Sequence, residues 1–351
     1  MSSSRLQTHP ELWQHFVRAE EYVSGLRDCF GRFPYYCSTS RSIFDPSVSR
    51  WLVDQGLRPN YPNGKRYAIC LTHDIDGVYQ RRFDICKQIA RAVSGGRFKQ
   101  ASAWALPLFL RRRNPLWNFE LIQELEYRHG AKSSFYFLAL RKDEPDFNYE
   151  LRDLRPVLRN LNNSGWEIGL HGGHEAYLDR EKMREEKARL EDVLGAEVVG
   201  YRNHFLRFHV PNTWRLLEQL GFTYDTTFGF ADCVGFRNGV CHPFRPFDLE
   251  QDRFLNIIEL PLTLMDCALE RYMRLDWETG WKLTKSLLDI TASLAGVLTV
   301  VWHNSYMQGD SLKFYERLLE HGQETGAWMA PAAAVANWWQ VEGYDKVLTS
   351  E

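Results

Sequence analysis

The chain reads as an α/β protein, a (β/α) barrel of about seven strands with an amino-terminal extension packed on it. Two observations predict this. From Tyr67 onward short apolar strands alternate with amphipathic helices, and several of those strands run straight into clusters of Asp, His and Arg. Alternation implies parallel strands joined by right-handed crossovers, and about seven such units suggest a barrel. In such a barrel the chemistry gathers where strands run into loops at their carboxyl ends.

Taken in order, residues 1–66 hold a helix candidate from about Pro10 to Phe30, then a stretch rich in Pro, Tyr and Ser without clear periodicity. Phe33–Cys37 and Asn60–Gly64 read as loops. This region is expected to be an extension, with the main domain spanning 67–345. The predicted strands are Tyr67–Thr72, Lys132–Leu138, Trp166–Leu170, Val198–Tyr201, Thr223–Thr227, Asn256–Leu262 and Val297–Trp302. Helices are predicted over Phe119–Arg128, Glu181–Leu194, Thr213–Leu220, Trp281–Leu294 and Leu312–Thr325. Gly195 and Gly221 supply the left-handed residue that ends two of them.

With 351 residues, 44% of them hydrophobic and 25% charged, the chain can bury a sizeable core. A net charge of −2 carries no basic signature for nucleic acid. The amino-terminal segment is polar and mixed, unlike a secretory leader, and no apolar run is long enough to span a bilayer. The seven cysteines are widely spaced and form no CxxC pair, so a reduced, cytoplasmic protein is expected.

Listing the polar residues after each strand assembles a constellation. The first strand leads into Thr72-His73-Asp74-Ile75-Asp76-Gly77, and the third into His171-Gly172-Gly173-His174-Glu175. Arg202-Asn203-His204-Phe205 follows the fourth, Asp225 lies in the fifth, and His303 follows the last. Adjacent carboxylates repel unless a cation sits between them, so Asp74 and Asp76 suggest a divalent metal. One would bind it beside the histidines, and the other would take a proton from the attacking water, whose pKa a metal lowers to about 7. A calcium loop would need further oxygen ligands at short spacing, which Gly77-Val78-Tyr79-Gln80 does not supply.

These motifs resemble the polysaccharide deacetylases, the NodB-homology proteins of carbohydrate esterase family four, over about Tyr67 to Trp339. The chain is most similar to a branch with an Asp-x-Asp first motif and an amino-terminal extension. The resemblance implies a distorted, incomplete barrel and a metal-dependent N-deacetylase. It implies Asp74 as general base, Asp76 and His171 as metal ligands, and zinc as the default ion. It also implies that Arg202 orients the base, that the Phe205 N–H helps bind the oxyanion, and that His303 is the general acid. Two departures stand out. The family places its two histidines at i and i+4, whereas here they fall at i and i+3. The third ligand is therefore His174 or Glu175, with a lean to His174 because imidazole is the family's donor. The other is His204-Phe205 in place of the usual Pro-Tyr.

Asp225 is expected to tether a catalytic group or bond its own turn, and Asp266 is a candidate to touch His303 or the substrate. His73, His209, His242 and His321 read as structural or exposed. Between Val78 and Asn118 stand nine Lys or Arg against one acid, Asp84. Either this basic insertion (78–118) contacts a membrane surface or a lipid- or nucleotide-linked sugar, or it is a solvated connector. The expected substrate is an N-acylated amino sugar or glycan precursor. The alternatives are an amide or formamide hydrolase with a non-sugar substrate, and a catalytically degenerate carbohydrate-binding protein.

Overall fold

The computed structural model describes residues 5–79 and 115–344, with a few isolated positions between them. Most of the basic insertion, and with it the expected membrane contact, lies outside the described residues.

The first strand, β1 (Tyr67–Ile75), is buried along its whole length, as a strand covered on both faces must be. Its polar members are compensated. His73 bonds the Trp302 carbonyl at 2.6 Å through Nδ1 and Glu126 at 2.8 Å through Nε2, so it packs rather than binds metal. Strands β2 (Ser134–Leu138), β3 (Glu167–Gly172), β4 (Gly200–Asn203) and β5 (Tyr224–Asp225) follow, each beside the one before. A separate hairpin, β6 (Phe247–Asp248) with β7 (Arg253–Phe254), precedes β8 (Ile258–Glu259) and β9 (Leu262–Met265). The last two strands are β10 (Val297–Val301) and β11 (Ala327–Ala330).

The parallel path runs β8-β5-β4-β3-β2-β1-β10-β9, with β11 pairing the first half of β1. It curls with its surrounding helices into an incomplete (β/α) barrel. The single strand predicted over Asn256–Leu262 is two short ones, because Pro261 between them has no N–H to give a ladder. Strand β11 was not legible: Ala327-Trp328-Met329-Ala330 is too short and too rich in alanine to show a period. The helix over Arg180–Leu194 is capped by Asp179, which accepts from the backbone N–H of Glu181 and Lys182 at 3.0 Å, and it ends at left-handed Gly195 (φ 80°).

The extension does not form the one long helix predicted from Pro10. It breaks at Arg18, a left-handed residue (φ 54°) between helices Pro10–Val17 and Ala19–Val23. Its apolar residues join the barrel's core: Trp13 and Phe16 pack edge-on against Phe247 and Phe244, at 4.9 and 5.3 Å. Buried charges tie the two regions together, since Glu21 pairs with both Arg18 (2.8 Å) and Arg237 (2.6 Å). No helix among the described residues is long and apolar enough to cross a membrane.

Candidate metal centre

Strands β3 and β4 are neighbours, β1 lies across β2 from β3, and the residues at the carboxyl ends of all three meet. Parallel pairing places His171 opposite Arg202, so the residues just past Arg202 rise beside His171. His171 Nε2 lies 3.2 Å from both Asp76 Oδ1 and His204 Nδ1, and His204 Nδ1 lies 3.4 Å from the same Asp76 oxygen. A tetrahedral ion about 2.05 Å from its ligands separates them by about 3.3 Å, so this oxygen and two nitrogens have the spacing of three corners of a zinc-type site. The other nitrogens suit the role. His171 Nδ1 bonds the Arg202 carbonyl at 3.0 Å, leaving Nε2 to face the cluster, and His204 Nε2 lies 3.6 Å from Asp146.

The third member of this cluster is His204, and neither of the expected donors, His174 or Glu175, joins it. The physical reason is that β3 continues through Gly172, so His171 belongs to the strand and the chain turns away after it. His174 packs its ring against Phe205 at 5.7 Å, and its backbone carbonyl accepts from Arg207 at 2.7 Å. Glu175 is exposed and pairs with Arg207 at 3.3 Å. The signal that could have found His204 was its position two residues beyond Arg202 on the neighbouring strand.

The two glycines of this motif serve packing rather than a turn. A Cβ on Gly172 would lie 2.0 Å from the Tyr201 hydroxyl, and one on Gly173 would lie 2.7 Å from Glu186. The Gly173 N–H donates to that buried Glu186 carboxylate at 2.8 Å.

Asp74 sits beside the triad. Its Oδ2 is 3.9 Å from both His171 Nε2 and His303 Nε2, and its Oδ1 is 3.7 Å from Arg202 Nε. That Oδ1 is buried and makes no hydrogen bond within the protein. Arg202 is fully buried and held by Thr226 (3.0 Å) and Thr72 (2.8 Å). His303 Nδ1 bonds Asp266 at 2.7 Å, and the same carboxylate accepts the His303 backbone N–H. Asp225 instead accepts from Thr227 at 2.6 Å, within its own turn.

Charge tuning follows from these contacts. Burial lowers the pKa of His303, but Asp266, then Asp76 and Asp74, outweigh it and raise it to about 10. Burial likewise opposes ionisation of Asp76, yet the imidazoles of His204, His171 and His303 hold its carboxyl well below the usual range. Asp74, Asp76, His171, His204 and His303 line a cavity of about 390 Å3, walled also by Phe205, Met265, Tyr272 and Tyr306. Phe205 (φ 59°) and Leu206 (φ 53°) are both left-handed, a strained pair of non-glycine residues beside the Asp76–His171–His204 cluster.

Solved structures share this architecture. A candidate polysaccharide deacetylase from Mycobacterium smegmatis matches with a TM-score of 0.56 and 18% identity, over 81% of this chain and 93% of that one. The fold is that of the polysaccharide deacetylases. Also similar are a polysaccharide deacetylase from Bacillus cereus (TM-score 0.38, 12% identity, 76% of this chain and 91% of that one) and a CE4 family pseudoenzyme from Bacillus anthracis (0.42, 9%, 80% and 70%). No protein-family model and no curated protein matches the sequence.

Proposed function

We propose that the chain is a metal-dependent hydrolase that removes an N-acyl group, acetyl foremost, from an amino sugar or glycan. The observation that carries this reading is the Asp76–His171–His204 triad, spaced for a tetrahedral ion, with the Asp74 carboxylate and the His303 imidazole beside it.

A divalent cation of the zinc type, held by those three side chains, supplies a Lewis acid and a water of lowered pKa. The chain's own residues do the rest. Asp74, kept near the Arg202 guanidinium, takes the proton of the attacking water. His303, oriented by Asp266, whose carboxylate favours the protonated ring, donates a proton to the leaving amine. The backbone N–H of Phe205, next in chain to His204, is assigned to the developing oxyanion. Tyr272 and Tyr306 line the cavity and are of the residue type that stacks on sugars.

The test is acetate release from N-acetylated glucosamine oligomers by the zinc-loaded and the chelator-treated protein. Release that needs the metal and is abolished by Asp74→Asn, with zinc still bound, is expected. Unchanged release in that variant, or release indifferent to the chelator, refutes the reading.

A further inference from the structure

The amino-terminal extension reaches the cavity beside the Asp76–His171–His204 cluster, which Arg32 lines. Residues Asp28–Arg32 form a turn closed on its own bonds: Asp28 accepts from the backbone N–H of Phe30 (2.9 Å) and Arg32 (3.0 Å), and from Arg32 Nε at 2.7 Å. Gly31 at its tip is left-handed (φ 75°), and a Cβ there would lie 3.0 Å from the Tyr177 hydroxyl, so the turn is seated tightly against the barrel.

Both side chains flanking Gly31 act on one loop. Arg32 Nη1 donates to the Phe205 carbonyl at 2.9 Å, and Nη2 donates to the Tyr272 hydroxyl at 3.3 Å. The Phe30 ring stacks on the Phe205 ring at 4.8 Å and 20°, and the Arg32 guanidinium lies 4.7 Å from the Phe30 ring centre. Phe205 also meets the His204 ring, 4.1 Å away. The strained left-handed pair Phe205–Leu206 is thus gripped by a charge-assisted hydrogen bond and an aromatic stack, both supplied from more than 170 residues away in sequence.

We propose that the Asp28–Arg32 turn is a working part of the active site. Arg32 is a positioning residue that, with Phe30, holds the His204–Leu206 loop in its left-handed form and so keeps His204 in register with Asp76 and His171. The inference rests on the metal-site reading above. Its physical basis is general: a strained loop persists only where its surroundings over-determine it, and loss of the groups that orient a ligand typically costs 10–100-fold in metal affinity.

The test compares zinc affinity, by competition with a chelating dye, in the wild type and in Arg32→Ala, Arg32→Lys, Phe30→Ala and His204→Ala, with thermal unfolding of each. Arg32→Ala and Phe30→Ala should stay folded, weaken zinc binding by about 10-fold or more, and lower kcat. Arg32→Lys keeps the charge but not the fork of donors, and should fall between. A merely structural role would lower the unfolding temperature without changing the zinc affinity of the folded protein, and that result overturns the proposal. Should Arg32→Ala not fold, Arg32→Lys and Phe30→Ala decide by the same readout. If His204→Ala binds zinc as tightly as the wild type, the metal-site reading itself fails; if it loses zinc while all three turn variants keep it, only this inference does.

Discussion

His204 Nδ1 lies 3.2 Å from His171 Nε2, although His171 stands in β3 and His204 just past the end of β4. That distance makes His204, not His174, the partner of Asp76 and His171, and it separates the two imidazoles experimentally. His204→Ala should weaken zinc binding by at least about 100-fold, because a two-ligand site loses both a bond and its geometry. His174→Ala should leave it within a few-fold. Competition titration of the two variants checks this, and the reverse order would restore His174 as the ligand.

Asp266 holds both the ring and the backbone N–H of His303. Asp266→Asn removes the largest charge that favours protonated His303, and its single oxygen can accept only one of the two His303 N–H groups. Under the proposed mechanism kcat should fall by about 10²-fold, the scale of a general acid's contribution. The basic limb of the kcat–pH profile should move to lower pH. An unchanged profile would remove His303 from the role of proton donor.

Gly172 leaves no room for a side chain, with its would-be Cβ 2.0 Å from the buried Tyr201 hydroxyl. Gly172→Ala should destabilise the fold by about 1–3 kcal/mol, the usual cost of overpacking a core. The displaced Tyr201 also bonds Asn203, the residue before His204. Zinc affinity should therefore drop together with the unfolding temperature. Tyr201→Phe should not rescue Gly172→Ala, because the ring carbons Cζ and Cε2 would still overlap the added methyl.

Glu186 is buried beneath the Gly173 N–H, and burial pushes its carboxyl up to about 7, although that N–H bond pulls the other way. A carboxyl raised in the folded state binds its proton more tightly there than in the unfolded chain. Its contribution to stability is full below about pH 4.5 and is lost as pH rises through 7. Glu186→Gln keeps an acceptor for Gly173 but cannot ionise, so it should flatten the decline in unfolding temperature between pH 5 and 8. A decline of unchanged steepness would show that Glu186 titrates normally.

Much of the fold and part of the site were legible in the chain. Strands β1, β3, β4 and β10 showed as short apolar runs, and each ended in polar residues whose chemistry made little sense apart from one another. Asp74, Asp76, His171, Arg202 and His303 could be grouped in advance because parallel strands deliver their carboxyl ends to one rim. Strand β11 and the split at Pro261 could not, because four residues or two show no period.

By itself the sequence determined the alternation of strands and helices, and hence which residues end on one rim of the sheet. Only the tertiary structure decided which of them touch. Lateral strand pairing brought His204 beside His171, whereas His174, three residues along the same chain, turned away once β3 had run through Gly172. The same holds for the extension. Nothing local to Phe30 or Arg32 announces a partner at Phe205, because a contact spanning more than 170 residues is set by how whole elements pack and leaves no period in the chain.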